Sequence, residues 1–310
     1  MIISASRRTD IPAFYSSWFF NRLKDGFVLV PNPRNSKQLS RIFLSPDIVD
    51  CIVFWTKNPS SMLNKLVKLS EYPFYFQFTL TAYEADIEKH LPALQKRIAI
   101  FKQLAEQVGQ DRVIWRYDPI LINKHYTIDY HIDFFNQIAS SLRGYTDSCI
   151  ISFIDDYPHI QQSLIKEDIN RLQVVDIFNL CSSLSEIASD NQLTLQTCAE
   201  EIELLNCNIS HGACIDKTRI EKITGRLLLA KKDKNQRNNC QCLESIDIGT
   251  YDTCSFGCLY CYATTSKRKV QANKRLYNQC SPKLVGDLLE TDIIKDKPMR
   301  SLFSLQNELF

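Results

Sequence analysis

Cys51 to Thr81 reads CIVFWTKNPSSMLNKLVKLSEYPFYFQFTLT, and this stretch decides the fold. It opens on an apolar run of strand length, CIVFWT, and turns at Asn58-Pro59-Ser60. A helical pattern runs from there through about Leu69, and a second apolar run, Pro73 to Thr81, closes the unit. Strand, helix and strand with apolar runs at both ends predict a parallel pair, because a two-sided apolar strand must be covered on both faces. The same alternation extends in both directions. Ile2 and Ile3 open a strand ending in SASRRTD, and Ala13 to Lys24 is helical until Gly26. Phe27 to Pro31 and Arg41 to Leu44 are short strands around PNPRNSK. Downstream come a helix over Leu91 to Val108, a strand over Arg112 to Tyr117, a helix over Ile128 to Leu142 and a strand over Cys149 to Ile154. A helix over Asn170 to Ala188 and a strand over Leu193 to Thr197 complete the series.

With about seven such units, an α/β fold built as a parallel β/α barrel, TIM-like and closed or partly open, is expected over residues 1–205. An open doubly wound sheet is the alternative, although no Gly-rich dinucleotide loop follows the first strand. From Asn206 the alternation fades. Residues 206–310 read as a cysteine-rich, iron–sulfur extension packed on the barrel mouth, with a helix at Pro282 to Glu290.

In that extension Asp247 to Ala263, DIGTYDTCSFGCLYCYA, spaces Cys254, Cys258 and Cys261 as C-x3-C-x2-C. Three thiolates on one short loop can each hold one iron of a [4Fe-4S] cube, and Gly257 permits a tight turn between the first two. A structural zinc knot, or a cluster that only carries electrons, is the plainer alternative. Cys198 (TCAE), Cys214 (HGACID), Cys240 and Cys242 (NNCQC) lie in polar, turn-like settings and form a candidate second site for a [4Fe-4S] cluster or zinc, with His211 able to replace one ligand. One of these four could instead complete the first cluster. Cys51, Cys149 and Cys181 sit in apolar runs and read as core, while Cys207 and Cys280 are undecided.

The chain has 310 residues, 45% of them hydrophobic, and a net charge of +2, values that describe a globular protein without naming a partner. No signal-peptide pattern and no run of 18 apolar residues is present, so a cytoplasmic protein without a membrane partner is expected. Twelve cysteines in a reducing compartment point to buried thiols and metal ligands rather than disulfides. Basic residues gather in Lys217 to Arg237 and Lys267 to Arg275, either a solvated surface or a nucleic-acid face.

Barrel active sites lie where strands end. The polar groups there are Ser6, Arg7 and Arg8; Lys57 and Asn58; Gln77 and Thr79; Arg116 and Asp118; Asp155 and Asp156; and Glu200 and Glu201 beside Cys198. Arg7, Arg116, Asp118 and Glu200 are the catalytic candidates, with Arg7 and Arg116 the preferred pair for an anionic group. Caps and salt bridges account for the bland reading of many of these residues. Trp55, Trp115, Phe74, Phe76 and Phe78 are expected in the core, and His125, His131 and His159 receive no catalytic role.

MIISASRRTDIPAFYSSWFFNRL, CIVFWTKNP, FQFTLT, VIWRYDPI, TCAEEI, HGACID, KKDKNQRNNCQC and DIGTYDTCSFGCLYCYA together resemble the bacterial and archaeal domain of unknown function 1848 family over nearly the whole chain. That family is uncharacterised, and its C-terminal cysteines are regarded as similar to those of radical S-adenosylmethionine (SAM) enzymes. The resemblance implies cluster ligation by Cys254, Cys258 and Cys261 and implies no substrate. In radical SAM enzymes the amino and carboxylate groups of SAM chelate the open fourth iron, and a reductant such as flavodoxin or ferredoxin supplies the electron. Their cysteine loop follows the first barrel strand, whereas here it comes last and no GGE segment is present. A SAM-cleaving enzyme is the leading expectation. An electron-transfer or redox-sensing barrel protein and a nucleic-acid-binding or repair protein are the alternatives.

Overall fold

The computed structural model describes residues 1–304, so the last six residues of the expected 206–310 extension lie outside the described residues. Eleven strands form two sheets: β1 (Ile2–Ala5), β2 (Phe27–Asn32), β3 (Asn35–Phe43), β4 (Cys51–Thr56), β5 (Phe74–Thr79), β6 (Val113–Ile120), β7 (Ser148–Phe153), β8 (Thr194–Cys198), β9 (Ser210–Gly212), β10 (Ile246–Asp247) and β11 (Ile293–Asp296). The main sheet has eight strands in the order β10-β1-β4-β5-β6-β7-β8-β9, and every neighbouring pair is parallel. β2 and β3 form an antiparallel hairpin, and β11 runs parallel to β3 on its other side. β9 and β10, both beyond residue 205, are the two edges of the main sheet.

Eight α-helices accompany the sheets: α1 (Ile11–Phe14), α2 (Ser16–Asp25), α3 (Leu94–Val108), α4 (Ile128–Leu142), α5 (Gln161–Lys166), α6 (Val174–Asp190), α7 (Lys217–Thr224) and α8 (Lys267–Arg275). Strand side chains alternate between two cores, as a pleated backbone requires. Ile3, Ile52, Phe54, Phe76, Phe78, Trp115 and Ile151 join Trp18, Phe101, Phe135 and Leu184 of the covering helices. Ile2, Val53, Tyr75, Ile114 and Ile150 face the other way and pack with Cys214, Cys242, Leu243 and Leu302. Burial on both faces explains the unbroken apolar runs. Trp115 is fully buried against Phe135, with ring centroids 4.7 Å apart, and its indole N–H donates to the Leu80 carbonyl at 2.8 Å.

Several expected elements differ, among them the strand expected at Arg41 to Leu44, which begins at Asn35 inside the expected turn. The crossover after β4 is a 3₁₀ helix over Leu63–Leu69 rather than an α-helix from Asn58. Turns consume Asn58 to Met62, and a 3₁₀ helix rises about 2.0 Å per residue against about 1.5 Å for α, so the few remaining residues still reach back to β5. The single helix expected over Asn170 to Ala188 begins only at Val174. Pro282 to Glu290 is not helical: Gly286 takes φ +72°, and the carbonyl oxygens of Ser281, Pro282 and Lys283 accept from the Trp18 indole and the Leu29 backbone N–H instead.

His131 of α4 is fully buried between the Tyr117 hydroxyl and the Leu121 carbonyl, each at 2.8 Å. Burial lowers its pKa to about 4 against the help of the Leu121 carbonyl. The unfolded chain therefore binds more protons, and stability falls as pH drops from about 6.5 to about 4. Urea unfolding across that range will show a steeper acid loss in the native protein than in His131→Gln.

Candidate functional site

Asp247, the last residue of β10, is held by β1 and the turn that follows it. Its carboxylate accepts from the hydroxyls of Ser4 (2.7 Å) and Ser6 (2.6 Å) and the backbone N–H groups of Arg7 and Gly249 (both 2.9 Å). Two residues on, Gly249 has no room for a side chain: a Cβ there would lie 2.1 Å from Ser6 Oγ and 2.8 Å from Thr9 Oγ1. Thr9 accepts from the Thr250 N–H at 3.0 Å, and the Tyr15 hydroxyl donates to the Thr253 carbonyl at 2.8 Å. SRRTDIPAFY is thus the seat of the cysteine loop. Gly249→Ala will shift that loop off its seat while the sheet persists, visible as new protease cleavage between residues 247 and 263 with unchanged far-ultraviolet circular dichroism.

The loop then passes over the ends of the next strands. Phe256 packs on Phe14 with centroids 4.6 Å apart, and its carbonyl accepts from His90 N–H at 3.0 Å. Gly257 takes φ +70°, and Leu259 N–H donates to the Ile87 carbonyl at 2.9 Å. His159, after β7, bonds the Cys261 carbonyl at 3.0 Å. Cys254, Cys258 and Cys261 are each partly buried and act on one another electrostatically. Burial pushes the Cys258 thiol up to about 12 although Lys57 pulls the other way, and burial with Asp10 and the two neighbouring thiols raises Cys254.

Beside Cys258 lies a buried ionic network. Glu88 is closed off from solvent and accepts from Lys57 Nζ at 2.7 Å, Arg97 Nη1 at 3.3 Å, the Thr81 hydroxyl at 2.8 Å and the Tyr260 hydroxyl. Burial alone would raise the Glu88 pKa, but Lys57 and Arg97 hold it below the ordinary value. Lys57 was expected here; Glu88 and Arg97 were not. A signal existed, since Arg97 interrupts the apolar stripe of Leu94, Ile98, Phe101 and Leu104 on α3. Glu88→Ala leaves buried Arg97 and partly buried Lys57 without their anion and will cost about 3–5 kcal/mol in chemical denaturation.

The second cysteine set occupies a different place, at the β8 and β9 ends of the sheet. Cys198 and Cys214 place their sulfurs 3.2 Å apart, Cys214 interacts with Cys242, and Cys242 with Cys240. Interaction with Cys242 lowers the Cys240 thiol to about 7, against the opposing effect of burial. Arg116 Nη1 lies 2.9 Å from Cys214 Sγ and 3.3 Å from Gln77 Oε1, and Asp118 holds its guanidinium through Nε at 2.9 Å. Arg7 stacks on Trp55 at 5.0 Å and faces Cys242 and Cys214. The preferred arginine pair therefore converges on these thiols. Among the described residues, no group of three or more His, Cys, Asp or Glu side chains stands in a metal-holding arrangement.

The remaining candidates disperse. Glu200 accepts from Phe153 N–H at 2.9 Å, and burial raises its pKa to about 7 against that hydrogen bond. Asp155 pairs with Arg237 at 2.8 Å, Asp156 faces Arg171 at 3.9 Å, and Arg8 lies over Tyr251. Asn58 caps a turn, accepting from Ser60 N–H at 3.2 Å, Thr79 is partly buried, and Glu201 is exposed. His211 is committed to Thr197 and Glu203, apart from the cysteines. Cys51, Cys149, Cys181 and also Cys207 are buried, and Cys280 is exposed. A cleft of about 350 Å³ opens at the other end of the strands, lined by Gln77, Gln196, Asp147 and Arg219 among others.

Fold and site together define a parallel α/β protein with a three-cysteine loop seated over its strand ends. Residues 2–263 match the family described as domain of unknown function (DUF1848), and the chain belongs to that family. The match runs through all seven cysteines of the two sets. Comparison with curated proteins and with solved structures gives no match.

Proposed function

We propose that the chain is an iron–sulfur enzyme of radical-SAM type, with Cys254, Cys258 and Cys261 holding a [4Fe-4S] cluster in a cytoplasmic protein. The observation that carries this reading is the seating of a C-x3-C-x2-C loop across the carboxyl ends of β1, β4, β5 and β7. That is the end of a parallel β/α unit where active sites collect. The reading also takes the main sheet as a barrel-like wall, with β9 and β10 as neighbouring edges.

When bound, such a cluster with one iron free of cysteine supplies the electron that cleaves SAM, drawn from a small carrier of the flavodoxin or ferredoxin kind. The chain's own residues prepare the site. Glu88 and Tyr260 hold the Lys57 ammonium close enough to Cys258 to offset part of the thiolate charge. Phe256 and Tyr260, both buried, keep water from one side of the loop. Glu200, whose carboxyl changes charge near neutral pH, is the candidate able to hold or release a proton at its free oxygen. Arg116 and Asp118 act as positioning residues around Gln77 and Ser152.

The test is anaerobic reconstitution with iron and sulfide, followed by low-temperature EPR of the reduced protein with and without SAM. The expected result is a [4Fe-4S] signal that shifts on adding SAM and is lost in Cys258→Ala, which keeps the native far-ultraviolet circular dichroism. A signal indifferent to SAM would leave an electron carrier or redox sensor; absence of iron would overturn the reading altogether. A nucleic-acid role draws on α8, where Lys267, Arg268, Lys269, Lys274 and Arg275 are all exposed. It requires binding to single-stranded or duplex DNA or RNA that weakens steeply with salt.

A further inference from the structure

Cys198, Cys214, Cys240 and Cys242 come from three separate parts of the chain and meet where the main sheet has its two unpaired edges. Cys198 ends β8, Cys214 lies two residues past β9, and Cys240 and Cys242 lie on the segment that leads into β10. The backbone already approaches itself here: Leu243 N–H donates to the Ile215 carbonyl at 3.0 Å, and Ile215 N–H points to Cys242 Sγ at 3.5 Å. Backbone N–H groups aimed at sulfur favour the thiolate form.

Spacing selects the occupant. A tetrahedral zinc with Zn–S bonds of about 2.3 Å places its sulfurs about 3.8 Å apart. At 3.2 Å the sulfurs of Cys198 and Cys214 are nearer that spacing than the wider separation a four-iron cube imposes on its cysteines, and they need move apart only about 0.6 Å to share one ion. Four soft thiolates are a donor set for zinc or an iron–sulfur centre, and sulfurs close enough to share one ion favour the single zinc.

Charge gives an independent indication. Four thiolates around a divalent ion carry a net charge of −2. Arg116 reaches Cys214 at 2.9 Å, and Nη2 of Arg7 is buried with no hydrogen-bond partner among the described residues. A buried polar atom without a partner is costly, and although Asp247 also acts on the Arg7 charge, the guanidinium faces Cys242 and Cys214. An anionic metal centre would add a counter-charge on the side of Arg7 that Nη2 faces without a partner.

We propose that Cys198, Cys214, Cys240 and Cys242 bind one structural zinc ion that fastens the β9 edge to the segment entering β10, drawing the row of thiols into a tetrahedron. The site is closed, with four protein ligands and no position left for substrate. It stands independently of the iron–sulfur reading of Cys254, Cys258 and Cys261.

The experiment measures metals by mass spectrometry in the full chain and in Cys254→Ala/Cys258→Ala/Cys261→Ala, purified from cells supplied with both iron and zinc. The triple variant should retain about one zinc per chain, with X-ray absorption showing four sulfurs at about 2.3 Å. Zinc should fall at least tenfold in Cys240→Ser/Cys242→Ser. That variant can fail to fold, so the unmutated chain is also titrated with a mercurial in the presence of a zinc indicator dye, and one zinc should be released as four thiols react. The proposal is overturned by a triple variant that is free of zinc, that carries iron and sulfide instead, or that shows a Cys198–Cys214 disulfide in its intact mass. Loss of iron from the full chain would count against the other site and leave this one untouched.

Discussion

The Asp247 carboxylate is the joint on which the arrangement rests. It takes four hydrogen bonds, three from residues 4 to 7 and one from Gly249, at distances of 2.6–2.9 Å. One side chain thereby pairs the first strand with β10, shapes the turn that bears Arg7, and starts the cysteine loop in a fixed direction. Charged acceptors make hydrogen bonds roughly twice as strong as neutral ones. The absence of a side chain at Gly249 completes the joint, because only a bare backbone can lie so close to Ser6 and Thr9.

Around that joint the molecule keeps its charges in closed sets. Glu88 is shared by Lys57 and Arg97, Asp118 holds Arg116, and Asp147 accepts two bonds from Arg219 at 2.8–2.9 Å. The Glu88 and Asp147 sets cross between elements distant in sequence and so specify which elements meet, while Asp118 holds its own strand neighbour. Buried pairs of this kind add little net stability beyond what apolar packing would give, while losing one member is expensive. Their value lies in orientation: Lys57 is held beside Cys258 and Arg116 against Cys214, while Asp147 and Arg219 fix the opposite end of the strands.

Most of the strand framework was legible because strands covered on both faces spell out continuous apolar runs such as CIVFWT and RVIWRY. β9 and β10 escaped notice since strands of three and two residues have no period to read. The helix expected at Pro282 to Glu290 failed for a different reason: its carbonyls serve Trp18 and Leu29, a tertiary demand that no local pattern carries. In the site, the C-x3-C-x2-C spacing was visible in one line of sequence. The meeting of Arg7 and Arg116 with the second cysteine set was not, because it depends on alternate strand residues facing one side of a sheet whose closing contacts come from beyond residue 205.

Pairing the first strand with one that begins at Ile246 also sets a timetable. On a ribosome adding about 5–20 residues per second, roughly 12 to 49 s separate the emergence of Ser4 from that of its partner Asp247. During that interval β4 can cover one side of β1, while the other side remains an open edge with unpaired N–H and C=O groups. The nascent chain therefore carries an association-prone edge at its oldest end, and the same late segment that covers it delivers the cysteine loop. Completion of the sheet and assembly of the site are one event.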